Sequence, residues 1–444
     1  MKRSSSALVA AATLIGTSIE WYDFYIYGLA SALVFPALFF PKSDPFVGQL
    51  ASYAVFGVGF LARPLGGIVF GHFGDRLGRK AMLVVTLSTM GAATFLVGVL
   101  PTYARIGAWA PVLLVALRLC QGIAVGGEWG GAVLMASEHA HVRSKGFVAS
   151  FPQMGVAVGL MLSNLSFVAI GGRSLLGGHA NAAFLSVGWR IPFLFSALLV
   201  ALGLIIRLSI AETPAFERFK TRGALVTAPV LSVLANNWRS VLLAGGAFFV
   251  CNGGFYLLTT QLISYGAGPH SVLKLDPSVF FNANIAGGCV ALIVTPLAGW
   301  ISDRVGRRPI FSAAVAAILA LAFPIYALID TKDPGLIVLA ICLFELATAA
   351  AYGPLAAMLS EMFPANVRYS GVSVGYQGAA IFAGGLAPFV ATVLLKLSAG
   401  ASWVLAVYLM CMAAISLVSI RLIPETNAVD LLESPALPAL EYAG

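Results

Sequence analysis

Six ionisable side chains stand inside stretches that are otherwise apolar: Glu20, Asp23, Arg63, Arg118, Glu128 and Glu345. A charge held in hydrocarbon is expensive, and its retention there points to function before packing. Burial disfavours the charged form of a carboxylate and a nearby guanidinium favours it, so an acid whose Arg partner moves away changes its hold on a proton. Asp23 is the leading proton carrier on this reasoning, with Arg118 as the candidate partner. Arg stays charged and binds a carboxylate through two parallel hydrogen bonds, so the same fork could take a ligand carboxylate and displace Asp23. Glu20 lies three residues before Asp23, on nearly the same helical face. It is either a second proton site or the ion-pair partner of Arg63. Glu128 is flanked by Gly126, Gly127, Gly130 and Gly131, small residues that let helices approach closely; a proton relay, a ligand contact and a structural pair all fit it. Taken together, the cluster either does chemistry or pairs helices.

In the second half Glu345 is the one buried charge, with Asn252, Tyr256, Gln261, Asn282, Asn284, Tyr352 and Gln377 as polar company. Each is a candidate ligand contact or an interhelical hydrogen bond. Asn252 and Tyr256, four apart on one face, are favoured, together with Tyr376 and Gln377.

These groups need a dry scaffold, and the composition supplies one. Of 444 residues 59% are hydrophobic and 10% charged, against about 25% charged in an ordinary soluble domain. A membrane span takes roughly 20 apolar residues, so a dozen use about 240 and leave short loops. That leaves no room for a large extramembrane domain. The 26 Lys and Arg against 18 Asp and Glu give +8; here positive charge marks cytoplasmic loops, not a nucleic-acid surface. Cys120, Cys251, Cys289, Cys342 and Cys411 all lie in apolar segments, so no disulfide framework or metal knuckle is written. Lys2 and Arg3 before an apolar stretch have the outline of a leader. Glu20, Trp21 and Asp23 interrupt that stretch, which runs on to Phe40, so the first helix is expected to stay.

Apolar runs between charged or Gly/Pro-bearing breaks predict twelve helices, starting near residues 12, 48, 81, 110, 146, 189, 240, 277, 309, 335, 371 and 402. With the N-terminus inside, basic residues divide 17 to 7 in favour of the inner loops, which puts both termini in the cytoplasm. The polar stretch Glu212 to Ser240 divides the chain: residues 1–211 as one six-helix bundle, 212–239 as a cytoplasmic linker, 240–424 as a second bundle and 425–444 as a cytoplasmic tail. A repeat agrees with the division. Gly71-His-Phe-Gly-Asp75-Arg-Leu-Gly78-Arg-Lys80 recurs as Gly299-Trp-Ile-Ser-Asp303-Arg-Val-Gly306-Arg-Arg308, 228 residues later. Ser137-Glu138 with Arg143-Ser-Lys-Gly146 answers Ser360-Glu361 with Arg368-Tyr-Ser-Gly371. Parallel six-helix halves are an architecture with a binding site near the bilayer midplane.

Several motifs carry nothing. Gly371-Val-Ser373-Val-Gly375 has the outline of a nucleophile turn, but the last histidine is His270, so the order Ser, acid, His is impossible. Gly57-x-Gly59-x-x-Ala62 has no preceding strand, and no Gly-Lys dipeptide exists to make a phosphate loop. Asn164-Leu-Ser166 fits a glycosylation site but sits in helix five. His139 and His141 read as solvated side chains, and neither a metal nor another cofactor is indicated.

The loop at 71 to 80 resembles the signature between helices two and three of the major facilitator superfamily, and Arg118-x-x-Gln121-Gly122 resembles its fourth-helix motif. Glu20-Trp-Tyr-Asp23-Phe, Arg63-Pro-Leu-Gly-Gly67, Gly126-Gly-Glu128-Trp-Gly-Gly131, Trp189-Arg-Ile-Pro-Phe193, Glu212-Thr-Pro214 and Arg368-Tyr-Ser-Gly371 are similar to its metabolite:proton symporter family, the N-terminal half most of all to the shikimate branch. The resemblance covers nearly the whole chain. It implies an all-α membrane protein of the major facilitator fold, twelve transmembrane helices in two pseudo-symmetric six-helix bundles, and no enzyme. It also implies a monomer in the bacterial inner membrane that imports a small polar metabolite with protons by rocking its halves. Relatives carry oxoglutarate, citrate, shikimate, proline or betaine. With Arg63, Arg118 and Gln121 in the predicted cavity, an organic acid is expected, and a zwitterionic osmolyte is the alternative. Proton-coupled export and a membrane sensor are the other classes, the latter left little room by a short linker and tail. Asp75, Arg76, Arg79, Asp303, Arg304, Arg307, Glu138, Arg143, Glu361 and Arg368, at inner helix ends, are expected to form gating ion pairs; the alternative is that the arginines only set topology.

Overall fold

The computed structural model describes residues 6–171, 184–209, 211–213, 216–217, 228–267, 271, 273–429 and 431. Of the expected linker, residues 214–215 and 218–227 lie outside the described ones, as do 430 and 432–444 of the expected tail. The first bundle holds α1 Ser6–Leu33, α2 Pro45–Leu77, α3 Arg79–Val99, α4 Trp109–His139, α5 Lys145–Gly171 and α6 Arg190–Ser209. The second holds α7 Trp238–Ala267, α8 Pro277–Val305, α9 Arg307–Asp330, α10 Pro334–Glu361, α11 Arg368–Leu397 and α12 Trp403–Leu422. A π-helical turn interrupts α7 at Leu257–Gln261 and α11 at Ile381–Gly385.

The starts fall close to those expected except in α1, which the Ala-rich segment Ala7–Ala12 extends back to Ser6. Among the described residues eleven helices are long and apolar enough to cross a membrane by themselves; α1 is not among them. Glu20, Asp23 and its tyrosines lower its hydropathy. Residues 16–31 are all buried, so that stretch of α1 needs no apolar outer face and polar groups can occupy it.

Packing repeats six helices later. In the first half α1 lies on α5, α2 on α4, and α3 on both α4 and α6; in the second, α7 lies on α11, α8 on α10, and α9 on both α10 and α12. The halves meet where α2 touches α11 and α8 touches α5, again a pair of contacts six helices apart. Close approach of α2 and α4 depends on small residues: a Cβ on Gly126 would overlap the carbonyl of Arg63.

The two signature loops turn at Gly78, φ +114°, and Gly306, φ +112°, a backbone region that L side chains rarely enter. Each turn is held by an acid from beyond the sixth helix of its half. Glu212 accepts from the amides of Arg79 and Lys80, both at 3.1 Å. Glu425 accepts from those of Arg307 at 2.7 Å and Arg308 at 3.1 Å. A carboxylate on otherwise orphan N-terminal amides is a favourable cap.

Candidate functional site

The first-half cluster forms as a neighbourhood but not with the expected pairings. Glu20, Asp23, Arg63, Arg118 and Glu128 are all at most 1% exposed. Asp23 makes no ion pair with Arg118; the hydroxyls of Thr94 and Ser196 face it instead. Arg118 donates to Gln121 Oε1 at 3.2 Å, and Gln121 Nε2 donates to Thr94 Oγ1 at 2.9 Å. The chain from the guanidinium ends at Thr94, whose hydroxyl donates to the Met90 carbonyl at 2.9 Å, and both Asp23 oxygens are buried without a hydrogen bond. Aromatic rings account for the missing pair: the Arg118 guanidinium lies 4.3 Å from the Phe24 ring centre and 4.2 Å from that of Tyr27. Arg63 likewise sits 4.3 Å from Phe24 and 4.2 Å from Phe60 and makes no ion pair with Glu20. Cation–π contact stabilises a desolvated guanidinium where no carboxylate is at hand.

Glu128 is paired, and its partner was not anticipated. Arg207 Nη1 stands 3.0 Å from Glu128 Oε2, its Nη2 contacts Oε1, and the Thr86 hydroxyl donates to the same carboxylate. Arg207 belongs to the sixth helix: α6 runs on to Ser209 and buries the side chain to 5% exposure. The available signal was its place 18 residues after Trp189, still inside an apolar run.

Between the halves lies a narrow cavity with polar groups on its walls. Trp21 and Tyr25 of α1, Gln153 of α5, Asn252 and Tyr256 of α7, Glu345, Thr348 and Tyr352 of α10 and Tyr376 of α11 line it. The Asn252 carbonyl oxygen, the Tyr256 hydroxyl and Glu345 Oε1 are buried there without a hydrogen bond. Of the expected ligand contacts, Asn252, Tyr256, Glu345 and Tyr376 reach the cavity, whereas Arg63, Arg118, Gln121 and Gln377 do not. Gln377 donates to the carbonyls of Val125 and Gly126, at 3.3 and 3.2 Å, and so ties α11 to α4. Of the rest of the polar company, Asn282 is exposed, Asn284 donates to the Thr259 carbonyl at 3.3 Å, and Gln261 donates to Thr392 at 3.0 Å.

Aromatic and amide side chains that the sequence reading left aside complete the site. Trp129 stacks on Tyr376 at 3.6 Å, Phe248 does so at 3.7 Å, and Tyr376 shares a 2.9 Å hydrogen bond with Tyr352. Gln153 accepts from Trp129 Nε1 at 2.7 Å and donates to the Tyr352 carbonyl at 3.3 Å. Trp129 belongs to the Gly-Gly-Glu-Trp motif, whose glutamate had drawn the attention.

At the end of the bundle that carries both signature loops, here the charged end, each half grips the other. Asp75 accepts from Ser370 N at 3.0 Å and Oγ at 2.9 Å, at the start of α11; Asp303 accepts from Gly146 N at 2.8 Å and Phe147 N at 2.9 Å, at the start of α5. Asp75 continues to Arg79 at 3.5 Å, Arg79 to Glu138 at 3.8 Å, and Glu138 to Arg368 at 3.2 Å. Asp303 continues to Arg307 at 2.8 Å, Arg307 to Glu361 at 3.1 Å, and Glu361 to Lys145 at 2.9 Å. Arg76, Arg143 and Arg304 are exposed and stand outside this network: Arg76 meets His72 at 3.2 Å and Arg304 lies over Trp300 at 3.5 Å. Lys145 fills the place that spacing had suggested for Arg143.

A family model described as Major Facilitator Superfamily matches residues 26–384 and 273–438. The chain is 39% identical to the shikimate transporter of Escherichia coli, covering 96% of each chain, and 38% identical to that organism's inner membrane metabolite transport protein YhjE, covering 95% of each. In fold it is similar to the solved structure of the proton:xylose symporter XylE bound to 6-bromo-6-deoxy-D-glucose, with TM-score 0.74, 17% identity and coverage of 97% of this chain and 98% of the other. Twelve helices in two pseudo-symmetric halves around a shared cavity, together with these likenesses, establish that the chain belongs to the major facilitator superfamily and is a membrane transporter, not an enzyme.

Proposed function

We propose that this transporter imports a small polar metabolite with protons across the bacterial inner membrane, as a monomer, with the charged end and both termini in the cytoplasm. The observation that carries the reading is Asp23: buried, free of any ion pair among the described residues, and with both carboxylate oxygens lacking a hydrogen bond. An acid so placed can bind and release a proton as the halves rock, and the guanidinium can favour the released state when it swings in. Glu20 is the second proton site in this scheme. The two grips at the charged end are the inner gate, and domains 1–211 and 240–424 are the rocking units joined by 212–239. A shikimate transporter among the relatives supports an organic acid. Arg63 and Arg118 support it too, one ring behind the cavity wall, where the Tyr256 ring meets Phe24 at 6.1 Å and Phe60 at 5.1 Å.

The cavity lining also supports a second reading. Trp21, Tyr25, Phe248, Phe255, Tyr256, Tyr352 and Tyr376 surround a single acid, Glu345. Aromatic walls with one carboxylate suit the cationic head of a zwitterion. Uptake of labelled shikimate, oxoglutarate, citrate, proline and betaine into proteoliposomes, with and without an inward proton gradient, separates the two. Gradient-stimulated uptake of an acid, or of proline or betaine, names the class; no uptake of any compound by correctly inserted protein overturns import.

A further inference from the structure

Helix α1 presents Gly16, Glu20 and Asp23 at spacings of four and three, on one face. A Cβ on Gly16 would stand 2.6 Å from Arg207 Nη2 and 3.0 Å from its Nε. The missing side chain is what lets the guanidinium lie against α1, one turn from Glu20. Both Glu20 oxygens are buried without a hydrogen bond. The charged groups facing Glu20 are Glu128 from α4, Arg207 from α6, Arg63 from α2 and Asp23 from its own helix. Glu20 does not line the central cavity, although its neighbours Trp21 and Tyr25 do. A separate narrow crevice is lined by Ala12, Thr13, Lys80, Leu83 and Arg207. It leads from the guanidinium toward Lys80, beside the signature loop.

We propose that Arg207 is a positioning residue for proton release: paired with Glu128 and seated on Gly16, it directs a proton passed from Asp23 to Glu20 into the Lys80 crevice, apart from the substrate cavity. This rests on the proton-symport reading above. In the transfer the O–H bond of protonated Asp23 breaks and one forms on the Glu20 carboxylate. The Glu20 O–H bond then breaks, and its proton passes to water in the crevice, which leaves both acids ionised. Lys80 holds the crevice mouth by donating to the Leu208 carbonyl at 2.7 Å.

Proteoliposomes loaded with the purified full chain test this with the five labelled compounds. Failure of wild type to show proton-stimulated uptake of any of them overturns the symport reading, and the proposal with it. Given stimulation, Glu20→Gln and the double variant Arg207→Gln/Glu128→Gln are expected to lose at least about tenfold in gradient-driven accumulation, in keeping with the usual worth of a positioned proton-transfer group. Counterflow of the same compound at equal pH on both sides is expected to fall much less. Gly16→Ala, which displaces the guanidinium without removing a charge, is expected to give a smaller loss of the same kind. Arg207→Lys keeps the charge without the fork and is expected to retain partial accumulation with a shifted pH profile. Counterflow reports on folding in every variant. Wild-type accumulation in the double variant makes the pair purely mechanical and overturns the proposal, as does wild-type accumulation in Glu20→Gln.

Discussion

Lys145, at the start of α5, reaches across the bundle to Glu361 at the end of α10, with Nζ 2.9 Å from Oε1 and both side chains buried. Its counterpart is Arg368 on Glu138, 3.2 Å apart, and one offset of 223 residues relates Glu138 to Glu361 and Lys145 to Arg368. The halves are thus closed at the charged end by two reciprocal pairs. The C-terminal segment adds to the closure: Lys145 Nζ donates to the Val429 carbonyl, and Arg368 Nη1 to that of Leu431 at 3.2 Å.

Without Lys145, Glu361 keeps Arg307 of its own half at 3.1 Å, so the loss falls on the contact between the halves. Lys145→Ala is therefore expected to shift the population toward the state open at the charged end. Spin labels at the exposed positions Arg143 and Arg304 read this as a longer distance distribution. An unchanged distribution would mean that the pair does not hold the gate.

A carboxyl that must take up and release a proton has no substitute in an amide. Asp23→Asn is expected to abolish accumulation driven by an acidic exterior while sparing exchange of labelled for unlabelled substrate. The sign follows from the proposed coupling: a carboxylate that loads on the acidic side and unloads on the other makes accumulation rise as the outside pH falls, whereas the amide variant is expected to be flat. Intact accumulation in Asp23→Asn would remove it as the carrier.

Gly78 tests the turn at the charged end. At φ +114° any L residue is strained, by about 1–3 kcal/mol, and a Cβ there would also overlap the Glu212 carboxylate. Gly78→Ala is expected to lower the thermal midpoint of the purified protein, and Gly306→Ala to do the same through Glu425. A midpoint equal to wild type in both would show that the caps carry no stability.

The fold was legible because its signals are long-range and redundant: apolar runs of membrane length, a repeated ten-residue loop and a biased charge distribution. The buried charges were legible one by one, since a charge in an apolar run stands out. Their partners were not. Arg118 and Arg63 turn to the rings of Phe24, Tyr27 and Phe60, and a Phe in a membrane helix looks like any other apolar residue. Arg207 did not stand out as a partner because a charge near the end of an apolar run is compatible with either side of the helix boundary. Lys145 was missed by aligning the two repeats on Gly146 and Gly371; the offset of the preceding Ser-Glu pairs puts Lys145, not Arg143, opposite Arg368.

The cavity makes the substrate class a matter of one side chain. Among the described residues Glu345 is its only acid, and Oε1 is buried without a hydrogen bond. A cationic head would leave that oxygen paired and stacked about by Tyr256, Tyr352 and Tyr376; an organic acid would meet it as a like charge unless Glu345 held a proton. Glu345→Gln keeps the shape and removes the charge. For a zwitterion it is expected to weaken binding about tenfold or more, since a charge-assisted contact is worth roughly 1.5–3 kcal/mol, and Tyr256→Ala should weaken it further by opening the aromatic wall. For an organic acid Glu345→Gln is expected to leave binding equal or tighter, and Arg63→Gln to carry the loss. Titration of the purified variants with betaine and with shikimate therefore decides which end of the ligand faces α10.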